Sequence, residues 1–549
     1  PPRSTLFPYT TLFRSAGRPE TVPSPANVHA LPSAEDGAPC DVMIEGDGDL
    51  ARVVDELEDA LVVAGAPIYV RAGELVRVID GESPRRGLER DPAAPLIVPH
   101  TDVTLQITAT EHVAIHKRNR KTKNVERVDC PLALARALRE KKVWSFRELA
   151  GVVEHPIVLP DGRVLWTSDY DQATGLLFHA PPYAYESPID KPTRHDAEIE
   201  LQRLRDLLAE FPFVEPVDES VAIAFVLTFF VRPVVPTAPA FLVNATAAGT
   251  GKSYLVRLPS ILASGREPAL MTLADDPAEL KKVLFAALLQ GDEHIALDNA
   301  VGVVDSAALC ALLTAPVYQD RLLGASRTVR LPTSAVVTIN GNNLIAAGDL
   351  TRRVLEVRLD AQCERPAERR FDLDPIEEVR AQRGDYVLSC ITILQAYAMA
   401  GERVDVAPFG SFNEWSRMVR EPLIWLGMPD PCASQRHLED EDPERTALQA
   451  MLSAVGSVFG VDEWSVGDLI AAADSRRQAE LVAGHVVDAD ARVALEVALQ
   501  QVCERNGELN ARACGRWLRR VSGRVIGGSR FVKARESNVG AYWRRQAVG

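Results

Sequence analysis

The chain has few of the features that mark extracellular, membrane-spanning or repetitive proteins. Its 549 residues include eight cysteines, with no C-x-x-C pair and no histidine at the spacing of a zinc ligand. This pattern excludes a disulfide framework and predicts reduced thiols in a cytoplasmic protein. The longest apolar run, residues 221–231, stops at Arg232 and is about half as long as a membrane-spanning helix. We therefore expect a buried helix there and no membrane contact.

The chain also lacks internal repeats and long low-complexity segments. Apolar residues make up 46% and charged residues 25%, which are ordinary globular values and exclude a largely disordered protein. A chain of 549 residues predicts about three or four domains. We expect most of it to fold.

Positive charge is scarce overall but concentrated at one end. The net charge is −15, yet residues 511–549 hold ten basic side chains and one acid, so this tail carries +9 and the rest −24. Such an asymmetry suggests a tail that contacts nucleic acid, with a solvated arginine face as the alternative.

The pattern of residues predicts a mixed α/β protein in five parts. Residues 1–40 combine an opening PPRSTLFPYTTLFRS, which resembles a translated sequencing adapter, with a linker rich in Pro, Ala and Ser, and we expect them to be disordered. The first residue is not Met, so we expect further residues upstream. The other expected parts are an α+β domain (41–213), a parallel α/β core (214–361), a helical region (362–435) and, after a charged linker (436–443), helices and a hairpin (444–549).

Within 41–213 the periodicity predicts specific elements. Helices are expected at 50–64, 132–138 and 197–208, and strands at 67–70, 74–79, 104–108 and 156–167. The basic run at 116–123 is interpreted as a solvated hairpin, because no aromatic residue is interleaved to stack a base; phosphate contact is the alternative.

A glycine-containing loop in the core has the order of a P-loop. The apolar strand 240–245 leads into TAAGTGKS (246–253), and an apolar helix follows. Backbone N–H groups of such a loop hold phosphates, Lys252 would reach the β and γ oxygens of ATP, and the Ser253 hydroxyl would bind Mg²⁺. Thr246 stands where the usual pattern has its first glycine. The candidate nucleotide-binding residues are Gly249, Thr250, Gly251, Lys252, Ser253 and Tyr254.

Two further strand ends supply candidate catalytic residues. The strand 294–297 ends in Asp298 and Asn299, which makes Asp298 the candidate for the acid that binds the metal. Asn299 cannot act as a base, so either it orients the water, or Asp292 or Glu293 moves in, or hydrolysis is slow. The strand 335–339 runs into the NGNN segment 340–343, where Asn343 is the candidate γ-phosphate sensor and a plain turn is the alternative.

Arginines follow this segment. Arg352 and Arg353, and also Arg321 after Asp320, could stabilise transition-state charge on a neighbouring subunit's γ-phosphate, or could form surface ion pairs instead.

The order of these motifs resembles the AAA+ core of superfamily 3 helicases, in particular the primase-helicases of phages, prophages and plasmids. Segments outside the core are similar too: 162–176 before it and 412–431 after it. The resemblance implies an ATP- and Mg²⁺-dependent motor that forms a homo-oligomeric ring, expected to be a hexamer, and unwinds DNA during replication. It also implies a primase domain or partner, which we expect upstream or on another chain, because these residues show no zinc-binding or polymerase acidic motif.

The C-terminal end has the order of a winged helix. Arg512, Arg516, Arg519 and Arg520 fall on one face of a helix expected at 511–522. A hairpin-like segment at 524–532 and the terminal YWRR complete a helix-then-wing order that would put Arg516, Arg519, Arg520 and Arg530 on DNA phosphates.

Two other functions compete with the helicase interpretation. One is an AAA+ ATPase that remodels or loads a protein partner on DNA. The other is a nucleotide-gated DNA-binding regulator without appreciable hydrolysis, which Asn299 would permit.

Overall fold

The computed structural model describes most of the chain from residue 41 onward. The described residues are 41–45, 49–81, 85–86, 89–90, 93–119, 121–166, 170–179, 186–274, 276–321, 328–474, 481–482, 485–486, 488–505, 507–537 and 540–548. The expected disordered leader and linker, 1–40, lies outside them. By contacts the chain divides into two compact units: the described residues up to Pro67 with His100–Phe146, and Ile68–Pro99 with everything from Arg147 onward.

The first unit packs three helices with a small sheet. The helices are Leu50–Val63, Asp102–His112 and Leu132–Glu140, and the sheet has the order Asp41–Ile44, Ala114–Arg118, Val125–Val128. The last two strands are antiparallel, which confirms a hairpin around the basic run; residue 120 lies outside the described residues.

The strand expected at 104–108 is wrong, because this segment lies inside a helix. Thr101 and Thr104 form a capping box at its start. Leu105, Thr108 and Ala109 are buried, and this spacing is that of a helix face. Local capping and burial outweigh the β preference of the threonines.

The second unit begins with small sheets and a long helix. Its first strands are Tyr69–Arg71, Glu74–Asp80, Arg85–Arg86, Glu89–Arg90, Pro95–Pro99, Arg147–Glu148, Gly151–Val153, Ile157–Val158, Val164–Leu165, Tyr170–Asp171 and Leu176–Phe178, followed by the helix Arg194–Leu208. The expected boundary at 213 does not coincide with the division by contacts. Arg71 donates a 3.2 Å hydrogen bond to the Leu288 carbonyl oxygen, and Glu154 pairs with Arg266, so these strands are tied to the residues that follow.

A five-stranded sheet forms the centre of this unit, and every neighbouring pair is parallel. Its order is Leu270–Thr272, His294–Val304, Val336–Ala346, Ala240–Ala245, Val354–Leu359. We call the middle three the Asp298 strand, the Asn340 strand and the P-loop strand. The helices around the sheet are Pro216–Phe229, Lys252–Ser264, Pro277–Gln290 and Ala307–Thr314, and a hairpin joins Val317–Arg321 to Thr328–Pro332. The parallel α/β core is confirmed.

Two strands continue beyond their expected ends. The Asp298 strand has a register shift between Leu297 and Ala300, where Asn299 has a φ of 56°, and then pairs again with the Asn340 strand. The NGNN segment is therefore part of a strand, and the alternative of a plain turn is wrong. Gly341 permits this pairing, since a Cβ there would lie 2.1 Å from the Ala300 carbonyl oxygen.

The rest of the chain is mainly helical and ends in a hairpin. The helices are Pro375–Ala381, Arg383–Ala400, Asn413–Trp415, Glu421–Trp425, Gln435–Glu441, Pro443–Phe459, Val466–Ala473, Ala489–Cys503 and Ala511–Val521. Short 3-10 or π turns lie at Pro366–Glu368, Gly410–Phe412, Ser416–Arg420 and Pro431–Ser434, and two further 3-10 turns, Arg232–Val234 and Gly348–Arg353, belong to the sheet region. The remaining strands are Trp464–Ser465, Leu481–Val482, His485–Val486, Glu504–Arg505, Glu508–Leu509, Ser529–Ser537 and Gly540–Ala547.

Two expectations for this region need correction. The linker expected at 436–443 is largely the helix Gln435–Glu441, anchored by the fully buried Leu438. The hairpin expected at 524–532 instead joins Ser529–Ser537 to Gly540–Ala547, because buried Phe531 and Trp543 face the domain core from these two strands.

Candidate functional site

The loop between the P-loop strand and the helix Lys252–Ser264 has a backbone that only glycine adopts readily. Gly249 has a φ of 81° and Gly251 a φ of 101°. A Cβ on Gly249 would lie 3.0 Å from Ala367, so this loop is also closely packed. The Thr246 hydroxyl donates a 3.3 Å hydrogen bond to Asp360 Oδ1, which anchors the residue that replaces the usual first glycine. Among the described residues no side chain caps the N-terminus of the helix after Gly251, so its first N–H groups are available to bind phosphate.

The Lys252 ammonium group donates hydrogen bonds to two protein oxygen atoms at the glycine loop. Its Nζ donates hydrogen bonds of 2.6 Å to Asn342 Oδ1 and 3.2 Å to the Ala247 carbonyl oxygen. Burial lowers the pKa of Lys252, and the charge of Asp298 acts in the opposite direction. The two predicted residues are therefore within electrostatic range of each other.

Asp298 is held by a residue that the sequence analysis did not single out. Asn340 Nδ2 donates a 2.7 Å hydrogen bond to Asp298 Oδ1, which also accepts the Asn299 N–H at 2.8 Å. Asn340 is 3% exposed, and its own Oδ1 has no partner among the described residues. The exposed Asn343 has a φ of 50°. The contacts of the NGNN segment with Lys252 and Asp298 thus come from Asn342 and Asn340 rather than from the predicted Asn343.

The acids proposed as substitutes for a missing base lie at the wrong end of the strand. Glu293 precedes the Asp298 strand and is about 16 Å from Asp298 at the usual rise per residue. Burial raises the pKa of Glu293 to about 7 and that of Asp292 to about 6. Neither can move in to activate a water at Asp298, so that expectation is wrong. Asn299 is exposed beside Asp298.

The candidate arginines lie at the opposite end of the strands from the glycine loop. Val354, which follows Arg353, pairs with Ala240, so about 17 Å of strand separates it from the loop. Arg353 is tied down by hydrogen bonds to the Cys310 carbonyl oxygen (2.7 Å) and Asp349 (2.8 Å). The Arg352 side chain is 66% exposed, although it also pairs with Asp349. Within one chain neither is placed to reach the loop.

The segment with Asp320 and Arg321, the other candidate source of an arginine, is joined to a neighbouring helix. Asp320 forms an ion pair of 3.2 Å with Lys281 on the helix Pro277–Gln290. Arg321 ends the first strand of the hairpin, and the following residues, 322–327, lie outside the described part of the chain.

A cavity of about 600 Å³ opens beside the glycine loop. Its walls include the predicted residues Gly249, Thr250, Gly251, Lys252, Ser253 and Tyr254. The remaining wall is largely apolar and comes from two segments far away in the sequence, with Leu207 and Phe211 from one and Phe371 and Leu373 from the other. The volume falls in the range of small-ligand sites. Nothing in the sequence pattern connects these apolar residues to the loop, so sequence analysis missed them.

The C-terminal arginines occupy the predicted helix face. Trp517 and Leu518 are buried, whereas Arg512, Arg516, Arg519 and Arg520 are exposed. Arg520 and Arg524 both pair with Glu444, at 2.9 and 2.8 Å. Arg530 is half-buried and donates a 3.0 Å hydrogen bond to Gln546. Of the four predicted DNA-contacting residues, Arg516 and Arg519 are thus the least engaged with other side chains.

The fold and the loop together define a parallel α/β protein with a loop of P-loop form. No protein-family model matches the chain, and no curated protein matches it significantly. Among solved structures, the chain is similar to two apo structures of the C-terminal region of phage NrS-1 and to Cch of SCCmec type IV, described as an active helicase. For NrS-1 the identities are 13% and 12% and the TM-scores 0.34 and 0.37, with 90% of this chain and 99% of that region covered. For Cch they are 10% and 0.31, with 88% and 97% covered. Values this low do not by themselves indicate a function.

Two properties of the described residues bear on cofactors and location. No helix among them is both long and apolar enough to cross a bilayer. They also contain no cluster of three or more His, Cys, Asp or Glu side chains arranged to hold a metal ion. A Mg²⁺ site built from one carboxylate, one hydroxyl and the phosphates of a nucleotide needs no such cluster.

Proposed function

We propose that the protein is an ATP-dependent DNA helicase of the primase-helicase type. The observation that carries the proposal is the position of Lys252: its Nζ lies at the mouth of the glycine loop, hydrogen-bonded to Asn342 and within electrostatic range of Asp298. A lysine, an asparagine and an acid from three neighbouring strands or their ends converge where the γ-phosphate of a nucleotide on this loop would lie.

The residues present fit ATP and Mg²⁺. Loop N–H groups and Lys252 would bind the phosphates, and the apolar cavity wall with Phe211 and Phe371 would accept the base. The Ser253 hydroxyl and Asp298 would hold Mg²⁺, which neutralises charge on the phosphate oxygens when bound. Asn340 would keep Asp298 oriented through its 2.7 Å hydrogen bond.

The arginines support a ring in which sites are shared between subunits. Arg352 is exposed, yet it lies at the end of the strands that is far from its own loop. An arginine that cannot reach its own nucleotide can serve the site of an adjacent copy, where a guanidinium stabilises transition-state charge. We therefore propose a homo-oligomer, with a hexamer as the expected ring.

DNA is the proposed partner of the C-terminal end. The exposed face with Arg516 and Arg519 lies on the helix Ala511–Val521, which directly precedes the terminal hairpin, the helix-then-wing order of a winged helix. Residues 511–549 carry +9 and the rest of the chain −24, which would concentrate the attraction to phosphates at this end.

One observation favours a second candidate, a nucleotide-gated DNA-binding protein with little hydrolysis. Asn299 occupies the position after Asp298, and the acids at 292 and 293 are too far away to replace a base. An amide can orient a water but cannot accept its proton.

The deciding experiment measures ATP turnover with and without single-stranded DNA, together with unwinding of a forked duplex. The helicase proposal requires turnover that DNA stimulates, strand separation, and loss of both in Lys252→Ala with an unchanged melting temperature. ATP binding without turnover would favour the regulator, and turnover without unwinding would favour an ATPase that acts on a protein partner.

A further inference from the structure

Asn244 is a polar residue in an otherwise buried apolar strand, two residues before the glycine loop. Its side-chain amide makes three hydrogen bonds of 2.9 Å: Oδ1 accepts the Leu344 N–H, and Nδ2 donates to the Leu344 carbonyl oxygen and to Glu356 Oε1. The backbone N–H and C=O of Leu344 are thus both paired with the Asn244 side chain.

The position explains why a side chain is needed. The P-loop strand and the Asn340 strand pair only as far as Ala245 and Asn342, where the chain turns into the glycine loop. Leu344 lies two residues beyond this last pair, and its N–H and C=O face the place where the neighbouring strand would have continued. The Asn244 amide takes over the role of that missing strand.

Fixing Leu344 also fixes Asn342. Asn342 accepts the hydrogen bond from Lys252. Asn343, between Asn342 and Leu344, has a φ of 50°, a backbone conformation that is uncommon for residues other than glycine. On the other side of this segment, the Asp298 strand pairs with Asn342 and Ile345. With both sides held, the Asn342 amide has a defined position relative to Lys252.

Glu356 sets the orientation of the Asn244 amide. It lies on the strand at the other side of the P-loop strand and is 1% exposed. Because Glu356 Oε1 accepts the hydrogen bond from Nδ2, it selects Nδ2 for its own side, which leaves Oδ1 for the Leu344 N–H. The opposite orientation would place Oδ1 against the carboxylate.

We propose that Asn244, oriented by Glu356, is a positioning residue that holds Asn342 and Lys252 in register for the γ-phosphate of a bound nucleoside triphosphate. The inference rests on the proposed nucleotide site. Asn244 does not touch the nucleotide; it acts through Leu344.

The test compares the affinities of ADP and of a non-hydrolysable ATP analogue, so that it requires no turnover. In the wild type the analogue should bind more tightly than ADP, because Lys252 and Asn342 reach the γ-phosphate. Asn244→Ala and Glu356→Leu should each reduce this ratio at least about fivefold, the order expected for the loss of one hydrogen bond, while ADP affinity stays within about threefold. Glu356→Gln retains an acceptor for Nδ2 and should keep the wild-type ratio.

Ser434→Ala is the matched control. Ser434 accepts a 3.3 Å hydrogen bond from the Glu356 backbone N–H but does not contact the carboxylate, so its loss should leave the ratio unchanged. Melting temperatures of all variants separate local unfolding from repositioning.

Three outcomes distinguish the inference from the function it rests on. If the ratio is unchanged in Asn244→Ala and Glu356→Leu, or if both nucleotides lose affinity equally, the positioning role is wrong and the nucleotide site stands. If the affinity ratio also falls in Ser434→Ala, the effect comes from general destabilisation of the sheet, and the positioning role of Asn244 is wrong as well. If the wild-type protein binds neither nucleotide, the proposed function fails and the inference fails with it.

Discussion

Asn340 Nδ2 donates a 2.7 Å hydrogen bond to Asp298 Oδ1, and this joins the middle strand of the sheet to the candidate metal-binding acid on its neighbour. The contact is buried, since Asn340 is 3% exposed. Hydrogen-bonding partners of this kind orient a metal ligand and commonly affect metal affinity as strongly as some ligands do.

Replacing Asn340 should therefore weaken the use of Mg²⁺. We expect Asn340→Ala to raise the Mg²⁺ concentration for half-maximal turnover, or to lower kcat, by about 10-fold to 100-fold. Nucleotide binding without Mg²⁺ should change little, because the glycine loop and Lys252 are untouched. A Mg²⁺ titration of ATP turnover measures this.

Asn343→Gly is the informative comparison. Its φ of 50° suits glycine, so the substitution introduces no backbone strain. We expect a smaller effect than with Asn340→Ala, since the contact with Asp298 comes from Asn340. A larger effect would return the sensor role to Asn343, as the sequence motif predicts.

The two arginines should behave differently when replaced. Arg352→Ala should lower kcat more than nucleotide affinity and leave the melting temperature unchanged, because this side chain is 66% exposed. Arg353→Ala should in addition destabilise the fold, since it removes the 2.7 Å hydrogen bond to the buried Cys310 carbonyl. Turnover and thermal melts of the two variants test the difference.

Mixing provides the control for a shared site. Arg352→Ala protein combined with Lys252→Ala protein should recover part of the lost turnover, in rings where an intact loop meets an intact arginine. A fully active ATPase that is strictly monomeric by light scattering would contradict the shared site.

Motifs made of neighbouring residues could be predicted from the sequence, whereas contacts between distant residues could not. The glycine loop, its strand and its helix follow from one continuous segment, and the structure has all three at the expected place. The roles of Asn340 and Asn342 depend on the strand extending past Ile339, which in turn depends on Gly341 lying close to Ala300. No local pattern reveals that packing.

The apolar wall of the cavity illustrates the same limit. Phe211 and Phe371 are 160 positions apart in the printed sequence, yet both line the cavity beside Lys252. Each lies outside the expected core of 214–361, so division of the chain into expected domains hides their common site.

Glu293 should make stability depend on pH. Burial raises the pKa of this carboxyl from 4.5 to about 7, so the folded state favours the protonated form. The contribution of this carboxyl to the stability of the folded state is fully present below pH 4.5 and is lost as the pH rises through 7. His155, with Nε2 at 3.7 Å, stays neutral in this window because burial lowers its pKa to about 4.

Glu293→Gln should therefore stabilise the protein at pH 8 relative to the wild type. The side chain remains 23% exposed, so we expect roughly 1–2 kcal/mol rather than the full value of the shift. At pH 5 the two proteins should have nearly equal melting temperatures. Glu364→Gln, at an exposed position, is the control. Equal melting temperatures of the Glu293 variant and the wild type at both pH values would show that this carboxyl is already ionised in the folded state.

The last prediction concerns the DNA contact. Truncation of residues 511–549 is not a clean test, because it would remove Trp517, Leu518, Phe531 and Trp543 from the core of the C-terminal region. Neutralising exposed arginines avoids this difficulty. Arg512→Gln, Arg516→Gln and Arg519→Gln together should weaken duplex binding and reduce the slope of log K against log salt by up to about 2.7, at about 0.9 per phosphate contact.

A matched pair separates this face from general positive charge. Arg520 and Arg524 both pair with Glu444, whose single negative charge offsets one of their two positive charges, so Arg520→Gln with Arg524→Gln should change the slope less for each charge removed. Basal ATP turnover without DNA should be normal in both variants, since the glycine loop is unchanged. Binding of a fluorescent duplex over a salt series measures both slopes. If the slope of the triple variant equals that of the wild type, the arginines form a solvated face, and the candidates for the DNA contact are then the channel of the proposed ring and the basic hairpin around residues 116–123.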